Sequence, residues 1–146
     1  MSEYPSQYKA DFYQWSLEQA RLLRSGDWKA VDVEHLAEEI EDMGKGVRRE
    51  WESCLKVLIV HLLKWVFQPE LRGVSCQLTI QEQQDQYHEL LADNPSLINQ
   101  MTASLERTYP RPVKRTALET SLIEETFPTE CPFRLEDILN ESFWPN

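Results

Sequence analysis

Residues 33–67 read VEHLAEEIEDMGKGVRREWESCLKVLIVHLLKWVF, and this stretch decides the fold. Its apolar residues recur at gaps of three and four positions, which is the spacing of one face of an α-helix. Asp32, just before the stretch, is a good N-cap residue, and Gln68-Pro69 after it is a typical stop. The pattern therefore predicts one long central helix over about 32–67.

Two glycines are the weak point of this predicted helix. Gly44 and Gly46 each cost about 1 kcal/mol relative to alanine in a helix interior. The apolar spacing stays in phase across them, so we favour one continuous helix, with a break into two helices as the alternative. Over residues 54–67 nearly every side chain is apolar, which is typical of a helix packed on most of its sides. With Lys56 and Lys64 inside it, that part is too short and too charged to span a membrane.

Shorter periodic segments, delimited by caps, glycine and proline, accompany this helix. They predict helices over about 8–24, 74–92, 95–109, 110–123 and, as a short closing helix, 135–139. The sequence contains no strand alternation and no internal repeat. We therefore predict a single all-α domain over residues 1–146, a bundle of about five helices plus a short C-terminal helix, with residues 1–7 and 140–146 peripheral.

The apolar stripes also predict which side chains face inward. Gln19 interrupts the stripe of the first helix, and the aromatic pair near the C-terminus is expected to fill a hydrophobic gap. The predicted inward residues include Phe12, Trp15, Leu22, Leu23, Trp51, Cys54, Trp65, Leu90, Leu118, Phe143 and Trp144.

Charge and cysteine content exclude several functions. The chain has 146 residues and a formal net charge of −10. Such an acidic chain repels phosphates, so neither nucleic acid nor an anionic membrane is an expected partner. Cys54, Cys76 and Cys131 are odd in number and form no C-x-x-C, so we expect free thiols and a cytoplasmic location. The start MSEYP lacks the basic and apolar regions of a signal peptide.

Six separated strings occur in order along the chain. They are DFYQW (11–15), LAEEIE (36–41), HLLKW (61–65), QPE (68–70), FPTECPF (127–133) and LEDIL (135–139). Together they resemble a bacterial, largely cyanobacterial family, the twenty-ninth of the numbered domains of unknown function. The resemblance covers about residues 8–145 and implies an all-helical domain of this length. It implies no activity, so no catalytic residue is transferred.

Histidine and glutamate on the helices are the candidates for a metal site. Glu39, Glu50 and His61 recur every 11 residues and share a stripe on an unbroken helix, but successive members lie about 16 Å apart, so one metal cannot bridge them. His35 lies in a carboxylate-rich turn. No Glu-x-x-His pair of the di-iron type is present. The favoured interpretation of Glu39, Glu50 and His61 is that they are buried or half-buried polar groups that fix how the helices pair. For the turn of His35 it is a solvated acidic face. In both cases ligands for a metal are the alternative.

Two basic clusters are the remaining candidates for a site. Lys45, Arg48 and Arg49 form the first, and the second consists of Arg107, Arg111, Lys114 and Arg115. Either could meet an acidic partner or a phosphate, but we expect the second to neutralise acidic residues of the protein itself.

No phosphate-binding glycine loop, nucleophile motif or cofactor site is recognisable. We therefore predict a small cytoplasmic interaction or regulatory protein without catalysis, which binds a protein partner or forms a homo-oligomer. The alternative is a metal-dependent helical enzyme that uses histidine and glutamate from neighbouring helices.

Overall fold

The computed structural model describes residues 7–146, and within that range all regular structure is helical. The α-helices are α1 (Gln7–Ala10), α2 (Phe12–Ser25), α3 (Val33–Phe67), α4 (Val74–Asp93), α5 (Met101–Thr108), α6 (Pro110–Thr120) and α7 (Leu135–Ile138). Short 3-10 helices cover Pro69–Leu71, Pro95–Gln100 and Glu124–Thr126. The predicted all-α fold with a long central helix is confirmed. The predictions for residues 1–6 lie outside the described residues.

The helix α3 is continuous through Gly44 and Gly46, so the predicted single helix is confirmed. Asp32 caps it as expected, because its Oδ1 accepts a hydrogen bond from the His35 backbone N–H at 3.4 Å. At the other end the Gln68 backbone N–H still donates to the Lys64 carbonyl before the chain turns at Pro69. A side-chain cap at the start and a proline after the end therefore fix the length of this helix.

Residue contacts divide the chain into two compact units, Met1–Gly46 and Val47–Asn146, so the prediction of a single domain stays a prediction. In the first unit the expected helix over 8–24 is two helices, and that prediction was wrong. The Asp11 side chain accepts a hydrogen bond from the Gln14 backbone N–H at 3.0 Å. Asp11 is therefore the N-cap of a separate helix, α2. Gly26, at φ +76°, ends α2 in the left-handed conformation.

The interior of the first unit corrects the predicted stripe of α2. Trp15 and Leu22 are buried as predicted, but Phe12 and Leu23 are exposed. Gln19, predicted as a gap in the stripe, is buried. Its Oε1 accepts a 2.7 Å hydrogen bond from the Asp32 backbone N–H. A polar side chain with a partner of this kind can be buried without leaving an unsatisfied group.

The second unit is built around the C-terminal part of α3. Trp51, Leu55, Leu58 and Leu62 have no exposed surface, and residues of α4, α5 and α6 and of the segment after α6 pack around them. Of the other predicted core residues, Cys54 and Trp65 are buried and Leu90 is partly buried against the same core. The apolar composition of residues 54–67 thus identified the centre of this unit correctly.

The C-terminal segment returns to this core. Ile138 of α7 is fully buried, and the Gln84 amide donates to the backbone carbonyls of Ile138 at 3.0 Å and Asn140 at 3.3 Å. Trp144 packs on Trp65 with ring centroids 4.8 Å apart. The expectation that the aromatic pair near the C-terminus fills a hydrophobic gap is confirmed.

Candidate functional site

The predicted metal candidates His35 and Glu39 belong to an aromatic network in the first unit. The His35 ring stacks on the Tyr8 ring at 4.1 Å between centroids, and His35 Nδ1 lies 2.7 Å from Asp32 Oδ2. The Tyr8 hydroxyl donates to Glu39 Oε1. This hydrogen bond, helped by desolvation and by the charge of Glu39, raises the pKa of Tyr8 to about 12. Both candidates are therefore engaged in holding α1 against α3.

Asp32 is the centre of the same network. Besides capping α3, its carboxylate accepts a hydrogen bond from Trp15 Nε1 at 3.1 Å. Burial raises the pKa of this carboxyl, but the hydrogen bonds from His35 and Trp15 outweigh burial and leave the pKa below its usual value. The carboxylate is thus ionised at neutral pH, and its oxygens are occupied by protein donors.

The other two candidates, Glu50 and His61, lie in the second unit. Glu50 is exposed, so the expectation that it is buried or half-buried was wrong. His61 is half-buried as expected, with Nδ1 3.6 Å from Cys76 Sγ. Burial, and then the charge of Lys64, lowers the pKa of His61, while burial raises the pKa of Cys76. Both shifts favour the neutral forms at neutral pH. The pair therefore lacks the thiolate that a cysteine nucleophile requires.

Within residues 7–146 no three His, Cys, Asp or Glu side chains come close enough together to hold a metal ion. The third histidine, His88, is also occupied, because its Nε2 lies 2.8 Å from the Leu139 carbonyl oxygen. The described part of the chain thus offers no ligand set for the metal-dependent alternative.

The two basic clusters meet carboxylates of the protein itself. In the second unit Arg107 lies 2.7 Å and Arg48 3.9 Å from Glu52, and Arg115 lies 3.0 Å from Glu119. These pairs follow the expectation that the cluster around Arg107 neutralises acidic residues of this chain.

A groove that the sequence did not predict runs along α6 in the second unit. Three adjoining pockets of about 460, 400 and 330 Å³ form it, each sharing lining residues with the next. We call it the α6 groove. Its lining comes from α5, α6 and the segment over 122–133, and includes Leu105, Tyr109, Pro110, Val113, Ala117, Leu118, Leu122, Ile123, Phe127, Cys131 and Phe133.

The segment after α6 forms one wall of the groove because buried aromatic residues hold it. Phe127 and Phe133 are buried, and the Tyr109 hydroxyl donates to the Pro128 carbonyl at 2.8 Å. Cys131 is half-buried with its thiol 3.5 Å from the Phe133 carbonyl, and burial raises its pKa. The wall therefore has a fixed place beside α6, and Cys131 is a packed thiol rather than a nucleophile.

The outer edge of the groove exposes two large apolar side chains. Leu118 is 84% exposed and Ile123 is 68% exposed, so the prediction that Leu118 faces inward was wrong. The helix α6 buries Thr116 and Thr120 instead. Their hydroxyls donate at 2.7 Å to carbonyls four residues earlier, which satisfies them and allows them to be buried.

The rim of the α6 groove is acidic. Four carboxylates line it, and Lys114 is the one cation among its described lining residues. The four are Glu106, Glu124, Glu125 and Glu130. The groove therefore combines an apolar floor with a negative edge.

Comparison with known proteins gives one match. The model of the family described as "Domain of unknown function DUF29" matches residues 7–144. No curated protein and no solved structure matches the chain. Among the described residues, none of the helices combines the length and the apolar character needed to cross a membrane.

Proposed function

We propose, for a chain that belongs to the family described as domain of unknown function DUF29, a role in binding a protein partner without catalysis. The site is the α6 groove, and its occupant is an apolar segment of the partner that carries lysine or arginine around its apolar residues. The observation that carries this proposal is the exposed apolar edge formed by Leu118 and Ile123 beside a preformed groove.

The apolar part of the proposal rests on exposure. Leaving a large apolar side chain in water costs about 1.5–3 kcal/mol of free energy relative to burying it fully. Leu118 and Ile123 lie together at one end of the groove, next to the partly buried Leu122. Contiguous exposed apolar surface of this kind is typical of a place where another molecule docks.

The charge of the partner follows from the rim. Glu124 and Glu125 stand beside the exposed apolar edge, and Glu106 and Glu130 stand beside the deeper end. A partner segment with cations at its edges would pair with these carboxylates, and an acidic segment would be repelled. This preference distinguishes the proposal from general hydrophobic adhesion.

We place this role in the cytoplasm. Cys54, Cys76 and Cys131 are all free thiols, which is the usual state of cysteine in a reducing compartment.

Two peptide probes test the proposal. Both peptides carry leucine and phenylalanine at positions i, i+3 and i+7, which form one face of a helix. At all remaining positions the first peptide has lysine and the second has glutamate. We expect the lysine peptide, labelled with fluorescein, to bind with a micromolar Kd by fluorescence anisotropy, and the glutamate peptide to bind at least tenfold more weakly.

Matched variants locate the site. Leu118→Gln with Ile123→Gln should weaken binding of the lysine peptide about tenfold, because both apolar anchors are lost. Leu78→Gln, which changes another exposed leucine, on α4, should leave binding unchanged. Glu124→Lys with Glu125→Lys should shift the preference toward the glutamate peptide. Equal binding of both peptides, or no effect of the groove variants, would each contradict the proposal.

A further inference from the structure

The helix α3 carries a second apolar stripe within the first unit. Val33, Leu36, Ile40 and Met43 follow one another at gaps of three, four and three, which is the a and d spacing of a coiled-coil heptad. We call these four residues the α3 seam. Ile40 is 60% and Met43 71% exposed, Val33 is exposed as well, and Leu36 is half-buried.

The seam is distinct from the face of α3 that contacts the preceding helices. Those contacts go through Asp32, His35 and Glu39, which bond or stack with Trp15 of α2 and Tyr8 of α1. Asp32, His35 and Glu39 themselves recur at gaps of three and four, so they form a neighbouring face of the same helix. The seam is thus a continuous apolar line that the folded chain leaves largely in water.

We propose that the α3 seam is a self-association site, and that it pairs with the seam of a second copy in antiparallel orientation. A heptad line is self-complementary, since side chains at a and d interlock with the same positions of another helix. An antiparallel pair places Ile40 of one copy beside Met43 of the other about a two-fold axis, so the same patch serves both copies.

The distribution of charge along α3 determines the orientation. From residue 34 to residue 42 the helix has five carboxylates and no lysine or arginine, and the next charged residues are all cations. A parallel pair would place like charges side by side, whereas an antiparallel pair places the acidic turns of one copy beside the basic turns of the other. The carboxylates are Glu34, Glu38, Glu39, Glu41 and Asp42, and the cations are Lys45, Arg48 and Arg49.

Small residues beside the seam permit close approach. Ala37 and Gly44 flank it on one side, and a Cβ placed on Gly44 would meet no atom within 4 Å. A second helix can therefore approach this side without displacing a long side chain.

Sedimentation velocity over a range of protein concentrations tests the proposal. We expect the wild-type chain to shift from monomer to dimer in the micromolar range. Ile40→Gln with Met43→Gln should raise the dimer dissociation constant at least tenfold, while Leu78→Gln on α4 should leave it unchanged. A chain that stays monomeric, or a dimer that is insensitive to the seam variant, would overturn the proposal.

Cysteine cross-linking tests the orientation and does not depend on the glutamine variants being folded. Chains with Ile40→Cys and chains with Met43→Cys are mixed and oxidised. The wild-type chain, oxidised in the same way, measures the cross-linking that its three native cysteines produce. We expect the mixture to form more disulfide-linked dimer than either variant alone. In a parallel pair residue 40 of one copy faces residue 40 of the other, so the Ile40→Cys chain alone would form more cross-linked dimer than the mixture. That result would refute the antiparallel seam.

Discussion

Gly44→Ala and Gly46→Ala should each make the protein more stable. Both glycines lie inside the continuous helix α3, both are exposed, and a Cβ at either position meets no atom within 4 Å. Nothing therefore offsets the gain in helix propensity, which is about 1 kcal/mol for glycine to alanine. Side chains two positions apart on a helix do not face each other, so the double variant should gain about 2 kcal/mol.

Gly26→Ala is the matched control, because the same substitution should have the opposite sign there. Gly26 also has open space around it, but its φ is +76°, in the left-handed region that ends α2. Alanine is strained in this conformation, so we expect a loss of about 1 kcal/mol. The three variants thus differ in backbone conformation and not in the room available to the new methyl group.

Urea unfolding followed by far-UV circular dichroism measures these differences, with dilute protein so that self-association does not contribute. The midpoint should rise for the two α3 variants and fall for the α2 variant at constant slope. A lower midpoint for Gly44→Ala or Gly46→Ala would refute the reasoning, since it would mean that α3 is not a continuous helix with free space at these positions.

Three further substitutions and one surface control test the packing of the chain by unfolding or hydrogen exchange. Leu58→Ala in the fully buried part of α3 should cost about 3 kcal/mol in the free energy of unfolding, and Leu78→Ala on the surface of α4 much less. Asp32→Ala should cost about 1 kcal/mol at pH 7 through the lost cap, and less in acid. Because the folded pKa of Asp32 lies below the unfolded value, its stabilisation is complete above the unfolded pKa and is lost as the pH falls through the folded one. Gln84→Leu should cost about 2 kcal/mol and speed amide exchange in residues 135–140, because two backbone carbonyls lose their donor.

The sequence was sufficient for features that depend on local chemistry. The ends of α3 follow from Asp32 and from Gln68-Pro69, because capping and proline act within one turn. The start of α6 at Pro110 follows in the same way, since proline is favoured at the first helical position. The centre of the second unit was predictable because a helix that is apolar on most sides needs neighbours on most sides.

Side chains whose burial depends on a distant partner could not be predicted. Gln19 is buried because the Asp32 backbone N–H, 13 residues away, donates to it. On α6, Thr116 and Thr120 are buried and Leu118 is exposed, because the threonine hydroxyls donate to carbonyls of their own helix and need no other partner. Apolar periodicity ranks residues by side-chain type and does not register such hydrogen bonds.

The α6 groove escaped prediction for a related reason. One wall is the segment over 122–133, which has no helical or strand period, so its path is set by where Phe127 and Phe133 find burial.

The metal candidates do not come together for a simpler reason. Glu39, Glu50 and His61 lie on one stripe of the same helix, three turns apart. They could share a metal ion only if other elements brought further ligands to each of them.

The width of the apolar stripe is the feature of α3 that separates a binding surface from a core. Around Leu58 and Leu62 apolar residues occupy most of the circumference, and the helix is buried there. Around Ile40 the stripe narrows to single a and d positions with carboxylates on the other faces, and the helix is exposed there. A helix that had simply lost its neighbours in this fold would keep a broad stripe, whereas a narrow one is what a single partner helix requires. The same spacing of three and four that predicted one continuous helix therefore also indicates, at residues 33–43, a surface for a partner helix from outside the folded chain.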